Sequence, residues 1–313
     1  MKQEFYHEPV LLNETTGFLL QNKSSSENKI YVDATLGGGG YTGEILRHTA
    51  NDTNIIAIDR DIFSIEHCKE YLVDYKDRIL FCLDNFSNIA EILTSSLKKL
   101  RKERISGIVL DLCLSSFQIN KEAGFSYLLD TTLDMRADKS QDFSAKDLIN
   151  SYSEKELEQI FKEYGELRYS RNLAKDIVAY RKGKDIESTF DLVEAVKEKI
   201  PARFLNKELS KLFQAIRIVV NDELENLRTC LNDVVEFLEQ EARIVVISYH
   251  SLEDRMVKNF LRSSKELKVL TKKVVLSSDV EIGKNVRARS AKLRAAEKNY
   301  KNEKKQKYRN IVI

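Results

Sequence analysis

The sequence of 313 residues has few of the features that mark secreted, zinc-binding and membrane proteins. Its four cysteines are widely spaced, with no C-x-x-C pair and no histidine at ligand spacing. We therefore predict reduced thiols and no metal site. The N-terminus carries acids among its apolar residues, unlike a signal peptide, and no run approaches the ~18 apolar residues of a membrane span. These absences predict a cytoplasmic protein without a membrane segment.

The chain also has little net charge. Its 51 Lys and Arg residues and 49 Asp and Glu residues leave a balance of +2, so a polyanion must be bound by a local patch. Such a patch lies between Ile282 and Ile313, where eleven basic residues stand against two acidic ones. The length allows an α/β domain and a second module, at about 100 to 200 residues per domain.

Short apolar runs rich in β-branched residues indicate strands buried on both faces of a parallel sheet. Helical patterns at 41–49, 62–76 and 87–102 separate the first four runs, so the alternation predicts a doubly wound, mostly parallel, Rossmann-like α/β fold. The runs lie at 29–37, 54–61, 78–86, 106–114 and 243–250, with weaker candidates at 268–276 and 291–296.

Residues 121–205 show only helical patterns, one of them opened by the capping-box pair Ser153 and Glu156. Helical spacing then resumes from about Leu209 to Leu238. We therefore expect a discontinuous sheet domain, 1–120 and 206–313, interrupted by a helical insert at 121–205.

The stretch "YVDATLGGGGYTG" (31–43) contains the G-x-G-x-x-G spacing of a dinucleotide-binding loop. Glycines allow a ligand to approach the backbone closely but do not identify that ligand. Four successive predicted strands end in Asp33, Asp59, Asp84 and Asp111, and open α/β sheets bind ligands beyond those ends. Four carboxylates disfavour a pyrophosphate and favour a ligand with ammonium and sulfonium groups. S-adenosyl-L-methionine carries both.

Each position then has an expected role. The glycine loop and the following helix N-terminus are expected to meet the ligand carboxylate, and Asp33 its ammonium. Asp59 suits the two ribose hydroxyls, and Phe86 offers a face for adenine. Two alternatives stay open: an acid at a strand end often caps the next helix, and Phe86 has the character of a core residue.

Seven further stretches are distinctive in combination. They are "HEPVLLNE", "DATLGGGGYTGEIL", "AIDRD", "LDLCLSSFQI", "GFSYLLDTTLDMR", "FQAIRIVVNDELE" and "VVISYHSLEDRMVKNF". Together they resemble the ribosomal RNA small-subunit methyltransferase H family, from His7 to about Arg262, with a weaker match at 287–298. The resemblance implies a class I methyltransferase with a helical substrate domain that methylates N4 of a cytidine in the decoding region of 16S rRNA, free or in the small ribosomal subunit.

The resemblance also assigns cofactor contacts. The sheet pattern and the family together predict S-adenosyl-L-methionine at Asp33, Gly38, Gly39, Gly40, Tyr41, Asp59, Phe86, Asp111 and Gln118. Departures from the family lie on the substrate side: Cys113 replaces a glycine, Phe117 replaces a proline, and 206–211 differs.

The expected chemistry is in-line methyl transfer, whose rate comes mainly from alignment of nitrogen, methyl and sulfur. An acceptor near the amine would orient it, and Asp111, Ser115 and Ser116 are candidates because they follow the fourth strand. A covalent route through Cys113 and His250 is the alternative, which the absence of a proline-cysteine signature disfavours.

Substrate residues are predicted from charge and motif. Arg171 and Lys175 lie four residues apart, on one helical face, and are expected to contact RNA phosphates. Asp134 and Arg136 either line the target pocket or form an ion pair, and His250 is a further candidate. Neighbouring cations and tyrosines that could join them are Arg168, Arg181, Lys182, Tyr169 and Tyr180.

Two other functions remain compatible with the residues. The literal glycine spacing is also typical of nicotinamide-dependent oxidoreductases. The departures at 113–117 and 206–211 are compatible with an RNA-binding relative that has lost activity. After the fifth predicted strand, Ser251 and Asp254 predict a helix cap.

Overall fold

The structure is a computed structural model that describes residues 9–21, 28–113 and 123–299. The chain divides into two compact units. The sheet unit comprises the described residues of 7–113 and 227–313, and the helical unit those of 114–226. In the described ranges, no helix combines the length and apolar character needed to cross a membrane.

The sheet unit contains a sheet of eight strands. These are β1 (Ile30–Asp33), β2 (Asn54–Asp59), β3 (Ile79–Leu83), β4 (Ile105–Asp111), β5 (Leu238–Ser248), β6 (Leu267–Val269), β7 (Val275–Leu276) and β8 (Lys292–Lys298). Their order is β3-β2-β1-β4-β5-β8-β6, with β7 also paired to β8. The first five strands pair in parallel and β8 runs antiparallel to β5. The predicted doubly wound, mostly parallel sheet is confirmed.

Helices follow most strands and build the helical unit. They are α1 (Leu12–Leu20), α2 (Gly40–Arg47), α3 (Ile62–Tyr71), α4 (Ile89–Leu100), α5 (Ala145–Ser151), α6 (Glu154–Glu163), α7 (Ser170–Tyr180), α8 (Thr189–Lys197), α9 (Leu205–Val220), α10 (Glu223–Phe237), α11 (Ser251–Ser263) and α12 (Asp279–Lys284). The predicted capping box of Ser153 and Glu156 is present at the start of α6.

Alternate residues of the parallel strands enter two separate cores, as the two-residue period of a strand requires. Val32 and Ile108 lie in one core, which α4, α10 and α11 cover. Tyr31 and Val109 lie in the other, together with residues of α1, α2 and α3. Both faces of the sheet are thus buried, which explains why the strands read as continuous apolar runs.

The helical pattern from Leu209 to Leu238 forms two helices rather than one. The chain turns at Asn221 and Asp222, where Asp222 has a φ of 49°. Before the turn, α9 buries Leu209, Leu212 and Phe213 in the core of the helical unit. The helical unit therefore extends to Asn226 instead of ending at 205, because α9 packs with the helices that precede it.

Asn221 fastens a loop of the helical unit. Its amide donates to the Met135 carbonyl at 2.8 Å, and its Oδ1 accepts from the Ala137 N–H at 2.8 Å. Met135 is completely buried with a φ of 57°, so the backbone there is strained. Gly124 lies beneath it, where a Cβ would approach the Asp134 nitrogen to 2.6 Å. One buried amide thus satisfies both sides of a strained turn.

Replacing Asn221 with alanine should lower the free energy of unfolding of the helical unit by roughly 3 kcal/mol, since a buried N–H and a buried carbonyl lose their partner. Urea unfolding followed by circular dichroism at 222 nm measures this change. Asn172→Ala, on the exposed side of α7, is the matched control and should stay within about 0.5 kcal/mol. Equal stabilities of the two variants would contradict the role given to Asn221.

Candidate active site

The glycine loop joins β1 to α2 in a conformation that excludes side chains. Gly37 and Gly39 have φ values of 50° and 77°, in the left-handed region that favours glycine. A Cβ on Gly39 would lie 2.8 Å from Cys68 Sγ, and one on Gly40 would lie 2.0 Å from Pro9 Cγ. The backbone of the loop is therefore held between these two side chains.

Asp59, at the end of β2, is tied to the glycine loop. Its Oδ2 accepts from the Gly37 N–H at 2.8 Å, and its Oδ1 accepts from the Asp61 N–H at 2.9 Å. Burial raises the pKa of Asp59, while these two hydrogen bonds lower it. The side chain stays partly exposed, so its remaining lone pairs are available to a diol.

Asp33, at the end of β1, is completely buried. Its oxygens accept from the Thr42 hydroxyl at 2.7 Å and from the Thr35 N–H at 3.3 Å. Burial raises the pKa of Asp33 to about 6, against the lowering effect of these donors. These hydrogen bonds indicate that Asp33 fixes the glycine loop. Its contact with a ligand ammonium stays a prediction.

Asp111, at the end of β4, connects several elements of the sheet unit. Its Oδ1 accepts from the Cys113 N–H at 3.1 Å, and its Oδ2 lies 3.1 Å from the Tyr41 hydroxyl. Its own N–H donates to the Thr35 hydroxyl at 2.7 Å. Burial raises the pKa of Asp111 to about 6. Because the residue is partly exposed, as Asp59 is, it can still accept from a bound molecule.

The residues after β3 serve mainly as caps. Asn85 Oδ1 accepts from the Ser87 N–H at 2.9 Å and opens the 3-10 helix Phe86–Asn88. Asp84 Oδ1 accepts from the Asn88 amide at 2.7 Å. Phe86 is half-buried against the core of the sheet unit. The cap is therefore Asn85, whereas Asp84 holds the Asn88 side chain, and contact of Phe86 with adenine stays a prediction.

The cap of α11 lies one residue before the predicted one. His250 Nδ1 accepts from the Glu253 N–H at 3.4 Å, and Glu253 in turn accepts from the His250 N–H at 3.3 Å. The predicted cap of Ser251 and Asp254 is wrong, because Asp254 pairs with Arg294 at 2.7 Å. His250 is therefore engaged with the helix N-terminus, and its role as a substrate residue stays a prediction.

The predicted substrate residues of the helical unit fall into two groups. Asp134 and Arg136 form an ion pair at 2.7 Å, and Arg136 also donates to the Gln141 carbonyl at 2.6 Å. The ion pair is thus the alternative that the structure shows for these two residues. Arg171 and Lys175, in contrast, are both exposed on α7. They remain available to an external partner.

Several other residues of the expected RNA surface have structural roles. Arg181 donates to the carbonyls of Ile149 and Tyr152, which closes the end of α5. Tyr169 and Tyr180 pack against the helical core, so base stacking by these rings is not supported. Charge and aromaticity alone could not separate these roles.

The basic C-terminal segment is also divided. Lys298 is buried and donates to the Val235 carbonyl at 2.7 Å and to Glu266 at 2.8 Å. Arg294 is equally buried in its pair with Asp254. These two cations hold β8 in the sheet rather than facing a polyanion. The predicted residues Ser115, Ser116 and Gln118, and the basic residues after Asn299, lie outside the described residues.

The site residues predicted from the sequence do not include Thr35, Thr42, Cys68 or Tyr249. The first two donate to or accept from the acids at the strand ends, and Cys68 Sγ lies 3.4 Å from the Gly37 carbonyl. Tyr249 follows β5 directly and lies against Asp111. A position just beyond a strand end was the one available signal for Tyr249.

An open sheet in this order, with a glycine loop before the first crossover helix and acids at the ends of β1, β2 and β4, is the Rossmann-like arrangement that the sequence predicts for a class I methyltransferase. Residues 4–299 match the MraW methylase family. The chain belongs to this family. Its cofactor is S-adenosyl-L-methionine, as predicted.

Curated relatives resemble the chain over nearly its full length. The ribosomal RNA small subunit methyltransferase H of Carboxydothermus hydrogenoformans is 42% identical, and the alignment covers 94% of this chain and 98% of the relative. The protein of the same name from Clostridioides difficile is 40% identical over 94% of this chain and 99% of its own length. That from Finegoldia magna is 38% identical over 94% and 99%.

Replacing Gly39 with alanine should weaken binding of S-adenosylhomocysteine by about 5- to 150-fold, because the left-handed backbone and the contact with Cys68 together cost roughly 1–3 kcal/mol. Isothermal titration calorimetry measures the dissociation constant. Gly17→Ala in α1 is the control, since a Cβ there meets nothing within 4 Å. Unchanged affinity of the Gly39 variant would show that the loop does not bear on the cofactor.

Proposed function

We propose that this protein transfers a methyl group from S-adenosyl-L-methionine to the exocyclic N4 of a cytidine in 16S rRNA, in the decoding region. The names of the relatives support the ribosomal RNA of the small subunit as substrate. The resemblance of the sequence motifs supports N4 and the decoding region. Membership of a methylase family removes the oxidoreductase alternative.

The observation that carries the proposal is the position of Asp111 in the sheet unit. It is a partly exposed carboxylate at the end of β4, in the same sheet as the glycine loop and Asp59. The residues fit the cofactor, because Gly39 and Gly40 allow a tight loop that a Cβ would block and Asp59 keeps free lone pairs. The bound cofactor supplies an electrophilic sulfonium methyl.

The chain's own contribution is alignment and charge. The N4 amine of cytosine is a weak nucleophile because its lone pair is delocalised into the ring. Asp111 accepts a hydrogen bond from this amine, which orients the lone pair towards the methyl group and offsets the positive charge that develops on nitrogen. The covalent alternative through Cys113 is not supported, since the ring of His250, its expected partner, caps α11.

The helical unit supplies the RNA contact in this proposal. Arg171 and Lys175 are exposed and lie one helical turn apart on α7. Phosphate neutralisation by such residues gives affinity without sequence preference. A cytosine must lie outside a duplex to reach the crevice, so the target is a loop or a flipped base.

Nucleoside mass spectrometry tests the reaction. 30S subunits or 16S rRNA from cells lacking the modification are incubated with the protein and S-adenosyl-L-methionine, and N4-methylcytidine is quantified. We expect the product with the wild-type chain and a loss of at least about a hundredfold in kcat with Asp111→Asn. A methylated nucleoside other than N4-methylcytidine would overturn the site of transfer. Absence of any product would favour the inactive RNA-binding relative.

Replacing both Arg171 and Lys175 with alanine should weaken RNA binding and lower the slope of log affinity against log salt by about 2, if each residue neutralises one phosphate. Filter binding of 16S rRNA at several salt concentrations measures both quantities. Lys155 and Lys162 are exposed on α6, and their double alanine variant is matched in charge. Equal slopes for the two double variants would remove α7 from the RNA surface.

A further inference from the structure

The carboxylate of Asp111 has more polar contacts than groups that can donate a hydrogen bond to it. Its Oδ2 lies 3.1 Å from the Tyr41 hydroxyl, but this hydroxyl also lies 2.6 Å from the Val10 carbonyl oxygen. A phenol has one proton, and a carbonyl oxygen can only accept. The shorter contact, with Val10, therefore takes the proton. Tyr41 then faces Asp111 with a lone pair, and a second donor is needed for Oδ2.

Tyr249 is placed to be that donor. It follows β5, the neighbour of β4 in the sheet, and its side chain lies against Asp111. Its hydroxyl oxygen is completely buried and forms no hydrogen bond of acceptable geometry with any residue in the ranges 9–21, 28–113 and 123–299. A buried hydroxyl without a partner is costly, so its proton is available to the nearest acceptor.

The surroundings make the protonation of Asp111 depend on its donors. The titratable groups that face it are Tyr41 of α2, Cys113 and Tyr249 beyond the strand ends, and Glu253 of α11, with Asp33 of β1 nearby. Burial and the charge of Glu253 raise the pKa of Asp111, and the Cys113 N–H and the Tyr249 hydroxyl lower it. Loss of one donor therefore moves Asp111 towards its neutral form at physiological pH.

We propose that Tyr249 is a positioning residue, which donates its phenol proton to Asp111 and thereby keeps Asp111 ionised as an acceptor for the methyl-accepting amine. This inference rests on the proposed function. The proton stays on the phenol throughout, so Tyr249 takes no part in bond making. Without Tyr249, Asp111 stays protonated to a higher pH, and in that form it donates to Tyr41 and the amine loses its acceptor.

The pH dependence of kcat/KM for methyl transfer to 16S rRNA tests this role in Tyr249→Phe, which keeps the ring and removes the hydroxyl. We expect the acid limb of the profile to move up by about one pH unit, which is about a fivefold loss near pH 6, about a tenfold loss below about pH 5 and little loss above about pH 8. Tyr75→Phe, in the 3-10 helix Val73–Arg78, makes the same chemical change at the margin of the core and should leave the profile unmoved. A loss of equal size at every pH, or no change, would overturn the proposal.

Thermal unfolding provides a readout that does not depend on catalysis. An acid whose folded-state pKa is raised binds its proton more tightly when folded, so stability falls as pH rises from its unfolded towards its folded pKa. Tyr249→Phe extends this fall to higher pH. The Tm of the variant relative to wild type should therefore decline between pH 5 and pH 8, whereas Tyr75→Phe shows a constant difference. A constant difference for Tyr249→Phe would contradict the proposal.

If wild type methylates no rRNA but the decline appears, the proposed function fails and the role of Tyr249 towards Asp111 stands.

Discussion

The sheet unit depends on the burial of carboxylates at the ends of parallel strands. Asp33, Asp59 and Asp111 each lose water, and this loss raises the pKa of all three. A buried acid is tolerated when neighbouring groups donate to it. The donors here come from the segments that follow the strands, among them Gly37 and Thr42. The same hydrogen bonds that satisfy the acids therefore fix the loops that would hold the cofactor.

Much of the fold could be predicted from the sequence, because strands buried on both faces leave long apolar runs. The seven predicted strand regions correspond to strands of the sheet. The break between α9 and α10 could not be predicted, since the helical period continues through Asn221 and Asp222. What ends α9 is a positive φ and an amide clamped to a distant loop, and neither leaves a periodic signal.

The candidate site was predictable in its acids and less so in its donors. Acids at strand ends are visible in a sequence, whereas the partner of each acid depends on which loops meet. The cations show the same limit. Arg181, Arg294 and Lys298 add to the positive charge of the sequence, but Arg294 and Lys298 are buried and Arg181 donates to a backbone carbonyl. The α11 cap fell on His250 because Asp254 was already engaged by β8.

The insertion of the helical unit between β4 and β5 has a consequence for how the chain folds. These two strands are neighbours in the sheet, yet the whole helical unit separates them in sequence. Joining them directly would require closing a very long loop, which slows folding of non-local contacts. The helical unit has its own hydrophobic core, so it can collapse first and shorten the effective distance between the strands. During synthesis β5 emerges after the inserted unit. The edge of β4 in the half-sheet β3-β2-β1-β4 therefore stays unpaired until that unit is complete.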